Sequence, residues 1–109
     1  MASGKFGNAA PAPGVLTLLY AGPSPGWVSK VSVIFVNGGS VAAAIRLAIS
    51  LSPNPAGVAD ADYVSRGFTL QPGDEFEKTD LLMGHDEYLW VFATQPGVSV
   101  RAHGFEEPT

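Results

Sequence analysis

The sequence contains no cysteine. That excludes a disulfide framework and thiolate zinc sites, and it suits synthesis in a reducing cytoplasm. Charge is scarce: Asp, Glu, Lys and Arg make up 15% of 109 residues, against 46% hydrophobic. Such a balance favours one compact core over disorder. It also leaves more neutral surface than a soluble monomer needs, so self-association or a bound partner is expected. The six cations (Lys5, Lys30, Arg46, Arg66, Lys78 and Arg101) are spread singly along a chain of net charge −4. Without a concentrated basic patch, nucleic acid is not an expected partner. No apolar run reaches the length of a membrane span, and nothing after Lys5 forms the unbroken apolar core of a secretion signal.

Chemistry is equally sparse. The glycines fall at turns rather than before a helix, which excludes a phosphate loop, and no nucleophile motif is present. A small metal-binding barrel of the cupin kind would show paired histidines one residue apart, but His85 and His103 stand alone. His85-Asp86-Glu87 reads as a solvated turn, because adjacent side chains there diverge instead of converging on a metal. Asp60, Asp62, Asp74, Glu75 and Glu77 lack the close alternation of oxygen ligands that calcium needs, and read as loop solvation. The sequence therefore points to no catalytic residue, no metal and no cofactor.

What is present is β-strand pattern. Along Trp27–Leu51, WVSKVSVIFVNGGSVAAAIRLAISL, Val31, Val33 and Phe35 share one face of a first segment. Val41, Ala43, Ile45, Leu47, Ile49 and Leu51 share one face of a second. Both are rich in β-branched residues. A three-residue turn at Gly38-Gly39-Ser40 pairs them as a hairpin, Val33 with Ile45 and Val31 with Leu47, so that their apolar rows coincide. The same glycines would also permit an arch from one sheet to a facing one. Ordering this segment costs more entropy than its own apolar burial returns, so a second sheet must cover it.

The remaining strands follow at intervals of about ten residues, separated by Pro, Gly, Asn and Asp. Val15–Tyr20 is the first, ending in AGPSPG; 62–66 is a short one, continued by Phe68 and Leu70 to the Gln71-Pro72-Gly73-Asp74 turn. Glu75–Met83 is a charged edge strand with an irregular end. Tyr88–Thr94, YLWVFAT, is apolar on both sides, so it is either covered twice or buried on one face and used as an interface on the other. In Val98–Phe105, Val98, Val100 and Ala102 oppose Ser99, Arg101 and His103. The expectation is an all-β fold, an antiparallel β-sandwich or jelly roll of seven to eight strands over residues 15–109. Residues 1–14 read as an extended, flexible N-terminal arm anchored by Phe6.

LTLLY, the Pro25-Gly26 turn, VSVIFVNGGS, AIRLAIS, a PGD turn, LWVFAT and VSVRAHGFEE follow one another in order. This series resembles a group of small tailed-bacteriophage virion proteins. The resemblance implies a non-enzymatic structural subunit of the virion, made in the host cytoplasm. It would be a homo-oligomer, a trimer, that decorates and cements a capsid by binding the major capsid protein, or else a tail or baseplate component bound to tail proteins. The expected contacts are Phe6, Asn37, Gly38, Gly39, His85, Tyr88, Trp90 and Phe92, with removal of residues 1–14 weakening assembly and sparing the fold. The alternative from another class is a carbohydrate-binding module that stacks sugars on Trp27, Tyr88 or Trp90.

Overall fold

The computed structural model describes residues 3–109; Met1 and Ala2, the start of the expected arm, lie outside the described residues. The strands are β1 (Ser3–Ala9), β2 (Thr17–Ala21), β3 (Trp27–Asn37), β4 (Ala43–Ser50), β5 (Tyr63–Leu70), β6 (Glu75–Met83), β7 (Tyr88–Ala93) and β8 (Val98–Pro108). Two short 3-10 turns, Pro55–Gly57 and Asp60–Asp62, lie between β4 and β5. Among the described residues no helix is long and apolar enough to cross a membrane.

The strands form two antiparallel sheets, one in the order β1-β8-β3-β6 and the other in the order β2-β7-β4-β5. Every connection except β4–β5 passes from one sheet to the other. The shortest dimension of the Cα trace is 17 Å, which accommodates two sheets about 10 Å apart and no third layer. Both sheets contribute to one apolar cluster: Val31, Val33, Phe35 and Val100 from the first, Ile45, Leu47, Leu89 and Val91 from the second. Period-two patterning puts these residues inward, and the opposite parity (Lys30, Ser99, Arg101) stays exposed.

The break at Gly38-Gly39 is an arch. β3 lies in the first sheet and β4 in the second, so the expected hairpin pairing of Val33 with Ile45 and Val31 with Leu47 does not form. β3 instead pairs with β8 (Val33 opposite Ala102) and with β6 (Val33 opposite Lys78). Both apolar rows still meet, but across the core rather than side by side. Matching apolar parity is satisfied either way, and only the packing partners distinguish the two. Val41 and Leu51, expected in the inward row, lie beyond the ends of β4 and are 55% and 74% exposed.

Residues 3–14 also differ from expectation. Ser3–Ala9 is an edge strand of the first sheet, paired antiparallel to β8 from Ser3 opposite Phe105 to Ala9 opposite Val100. Its composition, SGKFGNA, has no alternation to reveal it; its register comes from the neighbouring strand. Gly7 runs so close to β2 that an added Cβ would fall on the Leu19 carbonyl oxygen. Deleting residues 1–14 would therefore strip a strand from the sheet rather than remove a free arm.

Candidate interaction surfaces

Asn37, expected at a contact surface, is fully buried and builds the arch. Its Nδ2 donates to the carbonyls of Val41 (2.9 Å) and Leu70 (3.0 Å), and its Oδ1 accepts from the Gly39 amide at 3.0 Å. Gly38 donates its amide to Gly97 at 2.9 Å, and a Cβ on Gly39 would come within 2.7 Å of the Pro96 carbonyl oxygen. The arch and the β7–β8 turn thus pack backbone to backbone, which is what the two glycines make possible.

The outward face of β7 is covered in part by the chain itself. Trp90 is 3% exposed and donates its indole N–H to the Ser52 carbonyl at 3.2 Å, beneath the segment that joins β4 to β5. In this arrangement Trp90 is no platform for a sugar ring. Beside it Tyr88 and Phe92 are half-buried, and the Arg46 guanidinium lies 4.6 Å from the Phe92 ring centre. Trp27 is also half-buried. Strand β7 is apolar on both sides because it is central in its sheet, with the core on one face and Ser52 over the other.

His85 is exposed on the turn before β7, with Nδ1 3.3 Å from the Pro23 carbonyl and Nε2 3.1 Å from Asp86 Oδ1. The ring links two turns at one end of the molecule. Glu87 Oε1 accepts the Gly84 amide, which closes the same turn. The loop acids are similarly engaged: Asp60 pairs with Arg66 at 3.1 Å, and Asp62 Oδ2 accepts from the Ala59 amide at 2.9 Å.

Tyr20 and Glu106 are brought together from opposite ends of the chain. Tyr20 Oη lies 2.6 Å from Ser29 Oγ and donates to Glu106 Oε2 at 3.2 Å, while Phe6 stacks on the Tyr20 ring with centres 4.6 Å apart and planes 10° from parallel. Burial raises the Tyr20 pKa above its ordinary 10.0; the Ser29 hydrogen bond works against this and the Glu106 carboxylate adds to it. A raised phenol pKa means that the unfolded chain gives up its proton first. The stability contributed by Tyr20 is therefore full below the ordinary value and is lost as pH rises through it toward the folded value. Melting temperatures measured between neutral pH and pH ~11 should fall less steeply for Tyr20→Phe than for the parent above pH ~10, after a neutral-pH loss of about 1 kcal/mol. Parallel curves would show that the hydroxyl carries no such linkage.

The two sheets leave two open flanks. One is formed by the edge strands β1 and β2, joined through Phe6–Tyr20, and the other by β5 and β6, joined through Phe68 and Phe76 with ring centres 4.4 Å apart. Lys5 on β1 lies opposite His103, and Asn8 lies opposite Arg101, so the β1 side gathers Lys5, Arg101 and His103 on the outer face of the first sheet. A depression of about 510 Å³ on that face, floored by Ile34 and Val36, has Arg101 as its one charged lining residue. The β6 side carries Asp74, Glu75, Glu77 and Asp80 against Lys78. The acidic run is visible in the sequence, whereas the basic cluster is assembled from residues almost a hundred positions apart and has no local signal.

No family model matches the chain, and neither a curated protein nor a solved structure is significantly similar to it.

Proposed function

We propose that this chain is a non-enzymatic structural subunit of a tailed-bacteriophage virion, an oligomeric decoration or cement protein that stabilises the particle through protein–protein contacts. The observation that carries the reading is the strand order. Sheet orders β1-β8-β3-β6 and β2-β7-β4-β5 support reading the sandwich as an eight-stranded jelly roll, an architecture used by viral capsid domains as well as by lectins and cupins. The residues that carry the sequence resemblance support it as well, because they serve the scaffold: Asn37 of the Asn-x-Gly element holds the arch, and Glu106 of the Gly-x-Glu element meets Tyr20 of LTLLY. Fold function rather than surface chemistry accounts for them. Two open flanks with exposed Val15, Leu18, Phe68 and Leu82 supply apolar surface for assembly.

The test has two parts. Light scattering behind a sizing column, over a range of concentrations, should give a trimer or concentration-dependent assembly. Mass spectrometry of purified virions from the phage that encodes the chain should find it at a constant ratio to the major capsid protein. A monomer at every concentration would overturn the homo-oligomer, and absence from the virions would overturn the structural role.

A further inference from the structure

The chain folds over the outer face of the second sheet, where Ser52 lies on Trp90, whereas β3 and β8 leave the outer face of the first sheet open. Strand pairing fixes the level of each residue on that open face. Ile34 of β3 stands between Arg101 of β8 and Glu77 of β6, and Val36 stands between Ser99 and Glu75. Ser32 stands between His103 and the bulge residues Thr79 and Asp80, and Lys30 between Phe105 and Leu82. At the levels that the two strands share, β8 is therefore cationic where β6 is anionic. The acid on the outward row of β8, Glu107, lies at the Val28 level, beyond the end of β6, and Glu106 turns the other way to Tyr20. Arg101 and Glu77 are both exposed, and among the described residues neither belongs to an ion pair. With β3 between them, their backbones are about 10 Å apart, too far for a direct bond within one copy.

We propose that two copies of this chain pack face to face through the outer face of the first sheet, about a two-fold axis that runs along β3 between them. The occupant of this face is a second copy of this chain, and the inference rests on the oligomeric structural role proposed above. Such a rotation keeps every residue at its level and exchanges left with right, so β8 of each copy lies over β6 of the other. Arg101 then meets Glu77 of the second copy, and the same contact repeats on the other side of the axis. His103 meets Thr79 and Asp80, and Phe105 covers Leu82, which is 64% exposed in the single chain. Ile34 and Val36, half-buried in one copy, meet their own counterparts and form an apolar centre.

The depression of about 510 Å³ fits the same arrangement. It lies over Ile34 and Val36 toward β8 and β1, and Arg101 is its one charged lining residue, beside Asn8 and Ser99. The rotation brings Glu75 and Glu77 of the second copy to this recess, where a guanidinium, an amide and a hydroxyl can donate to them. A two-fold axis across the strands would instead lay β8 on β8 and β6 on β6, setting Glu75, Glu77 and Asp80 against the same three acids, and like charges oppose it. Along the chosen axis Lys30 meets its counterpart, but its amine leans over Phe105, 5.9 Å from the ring centre, which carries it off the axis. The contact uses one patch on both copies, so it stops at a dimer, in place of the trimer that the sequence resemblance implies.

The experiment compares the parent with Arg101→Glu, Glu77→Arg and the double exchange Arg101→Glu/Glu77→Arg, by light scattering over a range of concentrations at an ionic strength of ~0.05 M. Both positions are exposed, and melting curves check that each variant folds. The parent should reach the mass of a dimer. Each single variant places like charges at both symmetric contacts and should dimerise more weakly by roughly tenfold or more. The double exchange, and an equimolar mixture of the two single variants, should recover the dimer, because each restores two unlike pairs. A species of three copies, single variants that dimerise at parental strength, or a double exchange no better than the single ones would overturn the two-fold contact and leave the oligomeric role standing. A parent that is monomeric at every concentration would overturn both.

Discussion

Gly104→Ala should lower the melting temperature of this protein more than the other substitutions considered. Gly104 sits in β8, between Gly4 of β1 and Val31 of β3, with φ at +153°. A Cβ there would fall on the Lys30 carbonyl oxygen and lie 3.0 Å from the Lys30 carbonyl carbon and 3.2 Å from Val31 Cα. Each of these atoms is backbone, so no side chain can swing aside. Relief requires β8 to part from β3, along a ladder that runs unbroken from Trp27–Pro108 to Asn37–Val98. Overpacking costs about 1–3 kcal/mol and a side chain at an unfavourable backbone angle about the same again, so a loss of about 2–6 kcal/mol is expected. For a domain of this size that is a drop of roughly 10–30 °C, followed by circular dichroism. A variant melting within ~2 °C of the parent would mean that β8 and β3 are not this close. Glu106, two residues on, should lose its bond to Tyr20 in the same variant, which would flatten the alkaline difference between the parent and Tyr20→Phe.

Asn37→Leu should give the next largest loss, about 3 kcal/mol in urea unfolding. Leucine keeps the branched skeleton of asparagine with methyls in place of Oδ1 and Nδ2, so the change removes the hydrogen bonds without opening a cavity, and the larger methyls add a degree of overpacking. The carbonyls of Val41 and Leu70 and the amide of Gly39 then lose their partner, and buried orphans of this kind cost about 1–3 kcal/mol each, less where water reaches the arch. Asn37→Asp separates the two ends of the side chain. It keeps an acceptor for Gly39 but turns a negative oxygen toward two carbonyl oxygens, so it should be at least as damaging as leucine despite its closer chemistry. Parental stability in Asn37→Asp would show that the two donated bonds contribute nothing. Neither variant should change association beyond its effect on folding, because Asn37 is fully buried and the flanks lie elsewhere.

A hairpin and an arch at Gly38-Gly39 obey the same rule along Trp27–Leu51. Val31, Val33 and Phe35 must face the same apolar space as Ile45 and Leu47, and a hairpin and an arch each achieve it. The deciding information lies far away: β8 and β6 are better neighbours for β3, with Phe35 opposite both Val100 and Phe76. The glycines, which permit either turn, are then required by their approach to Pro96 and Gly97. Strand β1 leaves no pattern in the sequence for the related reason that, Phe6 apart, its residues are small or polar and carry no period. Period two puts Trp90 on the face opposite Leu89 and Val91, but whether that face is open depends on where the segment after Leu51 folds back.

By itself the sequence determined the class of fold and the inward and outward rows of most strands. Period-two patterning is a local property, and the positions of proline, glycine, asparagine and aspartate mark where each strand must end. It also marked the charged edge strand, since those charges lie close together in the sequence. Only the tertiary structure decided which strands are neighbours, that β1 joins the first sheet, that Asn37 points inward to hold an arch, and that Tyr20 meets Glu106. Those facts depend on pairings between residues far apart in the chain. Their energies come from close backbone approach, buried hydrogen bonds and assembled charge, none of which leaves a period in the sequence.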